Sequence, residues 1–270
     1  MTGKQVTAMV EYRTNALKKK IASGGVGVMA NGLNSAEICD FIGQFGFDSA
    51  FIDFEHGNPS WAELAGISRA CALWGMAPVV RVNRLDPAQI LRTLDQGAMG
   101  IVVPHVITTE DAELAAKSCR YPPAGIRGVA GGRRQYGVKD YFRRADEEVM
   151  CIALIEDYEA VKNIRDLVKV DGVDVFYVAP SDMAASMGHL GDAGHADVQE
   201  AIDTAIKAVV KAGRVAGTLV NDANMDKFLD KGVRCVGVSW MSWVGTGANA
   251  FLGRVKARPA AARTVNRRTR

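Results

Sequence analysis

The 270-residue chain is predicted to fold as one α/β domain, a closed (β/α)8 barrel of parallel strands alternating with helices. Three observations predict it. Eight short apolar runs recur along the sequence, each followed by a helix-compatible stretch, with no break in composition. Several of these runs are nearly continuous in Val, Ile, Phe and Ala, as strands buried on both faces should be. Charged or polar side chains fall repeatedly at the downstream ends of the runs, and in a parallel barrel those ends share one face.

The first run is VGVMA at 26–30, entered through a tight turn at Gly24-Gly25. No GxGxxG follows it, since Gly24-Gly25-Val26-Gly27 precedes or begins the run, which removes the main support for an open doubly wound sheet. Ser35 N-caps a helix to Phe45. The second run, SAFID at 49–53, leads into Phe54-Glu55-His56, and the third, APVVRV at 77–82, carries Arg81. Asp86-Pro87 then opens a helix to Gln96, with Asp at the cap and Pro at the first helical position. The fourth run, GIVVP at 100–104, ends beside His105. A Gly- and Pro-rich insertion from Tyr121 to Glu148 interrupts the rhythm and reads as a lid, a subunit contact or a surface loop. The fifth run, MCIALIE at 150–156, ends in Glu156, and the sixth, DVFYVA at 174–179, leads to Pro180-Ser181-Asp182. Apolar positions at helical spacing mark Asp197 to Ala212, closed by Gly213. The runs at 215–220 and 235–239 flank a shorter helix at 222–231. The expected layout is therefore an N-terminal extension at 1–21, a barrel at 22–255 and a basic, solvated tail at 256–270.

Composition is that of a soluble globular protein, with 48% hydrophobic and 23% charged residues. No run reaches a membrane span, and the N-terminus lacks the apolar core of an export signal. The five cysteines are widely spaced without a CxxC pair, consistent with reduced thiols and a cytoplasmic location. The net charge of +3 is a tail effect. Residues 254–270 hold seven basic side chains and no acidic ones, which leaves 26 basic against 30 acidic, about −4, for the rest. No aromatics interleave with the tail's charges, so neither nucleic-acid nor membrane attachment is expected.

Glu156 and Asp182, at the ends of two adjacent strands, suit a hard divalent cation with positions left for water and substrate oxygen. Each could instead cap a following helix. His56, beside Asp53 and Glu55, is the leading general-base candidate, with His105 its competitor; His189 and His195 read as loop residues. Arg81 ends an apolar strand, where a guanidinium needs a partner: an anionic ligand, an ion pair with Asp53 or Glu55, or both. No strand ends in lysine, which argues against an imine-forming mechanism.

The segments FIDFEHG (51–57), VVRV (79–82), LDQG (94–97), VVPH (102–105), YPPAGIRGV (121–129), Ile155-Glu156 and APSD (179–182) together resemble the HpcH/HpaI aldolases. The resemblance spans roughly residues 22–255. It implies a barrel of the phosphoenolpyruvate/pyruvate type that acts as a class II aldolase, cleaving a 4-hydroxy-2-oxo acid to pyruvate and an aldehyde. It further implies that Glu156 and Asp182 bind Mg2+, Mn2+ or Co2+, and that Ser181 and Asp182 offer backbone N–H groups to the pyruvate carboxylate. Arg81 would stabilise the enolate oxygen, and His56 would act as base through a water. Asp95 would raise the basicity of His56 across a subunit boundary, in a homo-oligomer (trimer or hexamer) whose last helix is exchanged between neighbours. Leu154 stands where such aldolases commonly carry glutamine, and Ala179 where glycine is usual. A citramalyl- or malyl-CoA lyase of the same superfamily is the neighbouring expectation, with Arg133 and Arg134 as CoA-binding candidates at the barrel mouth. A non-catalytic barrel that binds a keto acid is the other.

Overall fold

The computed structural model describes residues 12–130 and 132–258. The eight strands form in sequence order and close on themselves, every observed neighbour pair parallel. They are β1 (Gly27–Asn31), β2 (Ser49–Asp53), β3 (Ala77–Arg81), β4 (Gly100–Val103), β5 (Met150–Ile155), β6 (Val175–Val178), β7 (Ala216–Val220) and β8 (Cys235–Ser239). The helices are α1 (Ala16–Ala22), α2 (Ala36–Gly43), α3 (Trp61–Leu73), α4 (Pro87–Asp95), α5 (Thr109–Ser118), α6 (Tyr141–Arg144), α7 (Tyr158–Leu167), α8 (Pro180–Ser186), α9 (Ala196–Lys211), α10 (Met225–Asp230) and α11 (Trp240–Lys256). The expected caps are present: Ser35 accepts from Ile38 N–H and Asp86 from Ala88 N–H. The barrel interior is filled by Met29, Phe51, Val79, Val102, Ile152, Leu154 and Tyr177.

The helix α1 lies within the stretch expected to be an extension, and it belongs to the barrel core. Leu17 and Ile21 are buried against residues at the strand starts, including Ala77, Met99 and Met150. Helix α1 thus closes the floor, the end opposite the mouth. A Cβ at Gly27 would stand 2.5 Å from Leu17 Cδ1, so the first strand carries glycine where α1 crosses it. Asn15 fixes the helix start: its Oδ1 accepts from Lys18 N–H, while its Nδ2 donates to the carbonyls of Met99 and Glu148. One i,i+4 apolar pair is too short a pattern to announce a core helix, which is why the sequence leaves it unmarked. Leu17→Ala is expected to lower stability by about 3 kcal/mol, as for other fully buried leucines, measured by urea unfolding.

The insertion at 121–148 is built rather than loose. Tyr121, Tyr141 and Ala145 form a small apolar cluster joined by Tyr12 and Val138. Tyr121 OH donates to Ala130 O at 2.6 Å, and the Arg127 guanidinium lies over the Tyr121 ring. The terminal unit, Ser239–Arg270, is described through Arg258 and contains α11, in which no residue is buried. The rest of the basic tail, 259–270, lies outside the described residues. Among the described residues, no helix is long and apolar enough to cross a membrane. All five cysteines are free and buried.

Candidate active site

The mouth is assembled from the downstream ends of β2, β3, β4, β5 and β6. Asp53 and Arg81 are register partners across β2 and β3. Arg81 Nε donates to Asp53 Oδ1 at 2.9 Å and Nη2 to Oδ2 at 2.6 Å, a two-point clamp that fixes the guanidinium plane. Its Nη1 lies 3.0 Å from Glu55 Oε2. Both sequence alternatives for an ion pair are therefore realised together. Two of the five guanidinium N–H groups are bonded to Asp53, and Nη1 forms an ion pair with Glu55.

Asp53 also shapes the loop that carries His56. Its Oδ1 accepts from the N–H groups of Glu55 and His56. Burial pushes the Asp53 carboxyl up, but the bonds from Arg81 and from these two N–H groups outweigh it and hold it below the usual range. A Cβ at Gly57 would meet the Asp53 carbonyl oxygen at 2.1 Å, so the turn closes only on glycine. The His56 side chain is two-thirds exposed, with Nε2 3.9 Å from Glu55 Oε2.

Glu156 is 2% exposed. Its Oε1 accepts from His105 N–H at 2.8 Å, while Oε2 is buried without a hydrogen-bond partner. Burial raises its pKa, helped by the negative charges of Asp182 and Glu55 and opposed by His105. His105 holds a left-handed backbone (φ 51°), unusual outside glycine, and its Nδ1 lies 2.9 Å from Asp157 Oδ2. Burial lowers the His105 pKa, but Asp157 and Glu156 together raise it above the ordinary value. Asp157 is not among the sequence candidates, although the tandem Glu156-Asp157 signals that the strand end carries more than one acid.

Asp182 reaches this group from the first turn of α8, four residues past β6, rather than from a strand end. Neither Glu156 nor Asp182 caps a helix; the N-cap positions of α7 and α8 are Asp157 and Ala179. Ser181 is exposed beside Asp182 in the same turn. Asp53, Glu55 and Glu156 thus act on the Arg81 guanidinium, Asp157, Glu156 and Glu55 on the half-exposed imidazole of His105, and Asp182 on Glu156. The Glu156 oxygen left buried and unpartnered beside the negative charge of Asp182 is what fits a divalent cation held by these two carboxylates.

The HpcH/HpaI aldolase/citrate lyase family profile matches residues 28–242. The chain belongs to this family. It is 37% identical over 231 residues to a 4-hydroxy-2-oxo-heptane-1,7-dioate aldolase of Klebsiella pneumoniae subsp. pneumoniae, covering 83% of this chain and 87% of the relative. It is 34% identical over 235 residues to a hydroxypyruvate/pyruvate aldolase of Pseudomonas aeruginosa, covering 85% and 88%. Among solved structures, an HpcH/HpaI aldolase/citrate lyase family protein from Burkholderia cenocepacia J2315 superposes with a TM-score of 0.85 at 31% identity, covering 90% of this chain and all of that one.

Two expectations drawn for this HpcH/HpaI family member do not meet at the mouth within one chain. Asp95 ends α4, which starts at the mouth and runs back to the floor. There its Oδ1 accepts from Arg127 Nη2 at 2.9 Å, and nothing brings it near His56. Arg133 and Arg134, the CoA candidates, are also not at the mouth. They line a floor cavity with Pro78, Gly97 and Met99, because the 121–148 insertion connects α5 to the upstream end of β5. His189 and His195 stack with ring centroids 3.6 Å apart, and their nitrogens lie with an Asp197 oxygen within 4.8 Å of one another. His195 Nδ1 accepts from Asp197 N–H and caps α9. Leu154, at the usual glutamine position, is buried in the barrel interior beside its register partner Tyr177 and presents no polar group to the mouth.

Proposed function

We propose that this chain is a divalent-metal-dependent class II aldolase that cleaves a 4-hydroxy-2-oxo acid to pyruvate, or a close analogue, and an aldehyde. The observation that carries the reading is Glu156 Oε2, buried and unpartnered among like charges beside a clamped arginine. Glu156 and Asp182 would hold Mg2+, Mn2+ or Co2+. That ion, when bound, supplies Lewis acidity to the 2-keto group. The remaining work falls to side chains. Arg81 directs N–H groups not bonded to Asp53 to the keto oxygen, where negative charge develops as the C3–C4 bond breaks. Its clamp by Asp53 and Glu55 means no reorganisation is needed at that moment. His56 takes the C4 hydroxyl proton through a water, for which the exposed position of the imidazole leaves room, and the proton is then returned to C3, which completes pyruvate. Ser181 and Asp182 offer backbone N–H groups to the substrate carboxylate. Leu154 presents an apolar side chain where a polar contact would stand, which leaves Arg81, the α8 turn and the metal site to orient the substrate.

The direct test is deuterium exchange into the pyruvate methyl group by NMR, with Mg2+ or Mn2+ and then with EDTA. This requires no knowledge of the aldehyde. Metal-dependent exchange is expected; a folded protein that exchanges with no metal would remove the proposal. In the same assay His56→Ala should lose far more activity than His105→Ala, by roughly the 10²-fold or more attributed to a general base. Equal losses would transfer the role to His105, whose partner Asp157 is already in place.

The same reading makes the protein a cytoplasmic homo-oligomer, trimeric or hexameric. Met241, Val244, Phe251, Leu252 and Val255 leave an exposed apolar surface along α11 that a neighbouring copy would cover. Light scattering that returned a monomer mass would dismiss this part.

A further inference from the structure

The floor of a (β/α)8 barrel ordinarily serves stability, and its side chains are expected to be apolar or paired. One part of this floor is neither. A cavity of about 260 Å3 lies beside the starts of β3 and β4, lined by Tyr12, Arg13, Ser68, Gly97, Arg133 and Arg134 among others, with no Asp or Glu on its wall among the described residues. Arg134 is 5% exposed, and its Nη1 is buried without a hydrogen-bond partner. Its Nη2 makes only a long contact, 3.5 Å, to Arg13 O. Arg133 Nη1 reaches no charge either, lying 3.3 Å from the neutral Ser68 Oγ.

The charges here repel. Burial pushes both Arg133 and Arg134 below the usual guanidinium range; Arg13 and Arg69 push Arg133 further, while for Arg134 burial, with Arg127 adding to it, outweighs the opposing pull of Tyr141 and Tyr12. Glu148 is the carboxylate whose charge reaches Arg134, and it is engaged by the backbone N–H of Asn15. Among the described residues, no ion pair involves Arg13, Arg69, Arg133 or Arg134. A guanidinium held in a protein interior without a carboxylate is costly. Arg134 is such a group, and setting it with the partly buried Arg13 and Arg133 around one cavity is an arrangement that an anion reverses from repulsive to attractive.

We propose that this floor cavity is a binding site for a small oxyanion, a phosphate group in the first instance, gripped by Arg133 and Arg134 with Arg13 at its rim. The cavity is smaller than a typical drug-sized site, which limits the occupant to an inorganic anion or a short phosphorylated or carboxylated metabolite. The site is separate from the mouth of its own chain and does not rest on the proposed activity. Its ligand grips the 132–135 turn, whose first residue, Gly132, sits against the Asp95 backbone, so binding also orders the surroundings of Asp95.

The test is calorimetric titration of inorganic phosphate into the EDTA-treated full-length protein at constant ionic strength. Arg81→Ala, Arg133→Gln and Arg134→Met are run beside the wild type. Binding should survive Arg81→Ala, which removes the guanidinium at the mouth, and weaken at least tenfold in Arg133→Gln. Arg133 is only partly buried, so that variant should retain the wild-type circular dichroism even if Arg134→Met does not fold. Unchanged affinity in Arg133→Gln, loss of binding in Arg81→Ala, or no binding up to about 10 mM phosphate would each overturn the proposal. Pyruvate is then titrated against phosphate in Arg81→Ala. Displacement supports the site with a carboxylate as its source, and no displacement supports it with a phosphate.

Discussion

Glu156→Gln is expected to abolish metal-dependent turnover while making the metal-free protein more stable. The amide keeps an oxygen to accept the His105 N–H bond, so the strand end and the left-handed His105 backbone need not change. What it removes is the charge. Without it the cation loses the buried member of its pair of ligands, and a Lewis acid contribution of several kcal/mol disappears, about 10³-fold or more in kcat/KM. Stability should move the other way. Glu156 is nearly fully buried, and its pKa is raised by burial and by Asp182 and Glu55. An acid whose native pKa lies above its unfolded value, about 4.3, leaves the native state most stable below that value. The stability is then lost as pH rises towards and through the native pKa. In EDTA the wild type and Glu156→Gln should therefore unfold alike in acid. They should diverge as pH rises, the variant ending about 1 kcal/mol ahead, within the range common for relief of a functional strain. Activity retained in the variant would remove Glu156 from the metal site. A variant less stable than wild type at neutral pH in EDTA would mean that the charge is compensated within the chain.

Arg81→Ala should depress kcat by about 10²–10³-fold, the usual size for a group that stabilises a developing oxyanion. Arg81→Lys should recover little of it, because an ammonium cannot reproduce the two-point clamp on Asp53 while still donating towards a substrate. The structure adds a second consequence. Removing the guanidinium leaves Asp53 and Glu55 facing each other and Glu156 in a poorly solvated mouth, so the alanine variant should also lose stability, by roughly 3 kcal/mol. The loss has a pH signature. The Asp53 carboxyl is held below its ordinary range by Arg81, so its contribution is present above the unfolded pKa and is lost as pH falls through the native one. Wild type and variant should converge in strong acid. Adding Asp53→Asn to Arg81→Ala should restore part of the stability and none of the rate, separating the structural from the chemical role.

Much of this was readable without coordinates, and the reason is periodicity. All eight strands and the caps at Ser35 and Asp86 follow from local signals: apolar runs, an Asx or Ser before a helix, proline at the first helical position. The mouth was legible for the related reason that parallel strands put their ends together, so Asp53, Arg81 and Glu156 could be grouped from their places in the runs. What stayed hidden depends on direction or on long-range contact. Asp157 pairs with His105 only because β4 and β5 are neighbours. The role of Leu17 under the barrel rests on a core cluster it shares with residues far along the chain, Cys235 among them. The floor position of Arg133 and Arg134 is not legible either, because a loop's composition does not say which face it covers.

The placement of Asp95 bears on how the protein behaves in dilute solution. Helix α4 carries it about 14 Å from the mouth, nine residues at the α-helical rise, and Arg127 fixes it there. An Asp95–His56 pair of the kind the family resemblance implies must then join two chains. Specific activity would cease to be a constant of the molecule and become a function of how much of it is present. It would hold level at high protein concentration and decay towards that of an incomplete site as the assembly comes apart. An equimolar mixture of Asp95→Ala and His56→Ala chains, each inactive alone, would recover activity by placing one intact Asp95 beside one intact His56.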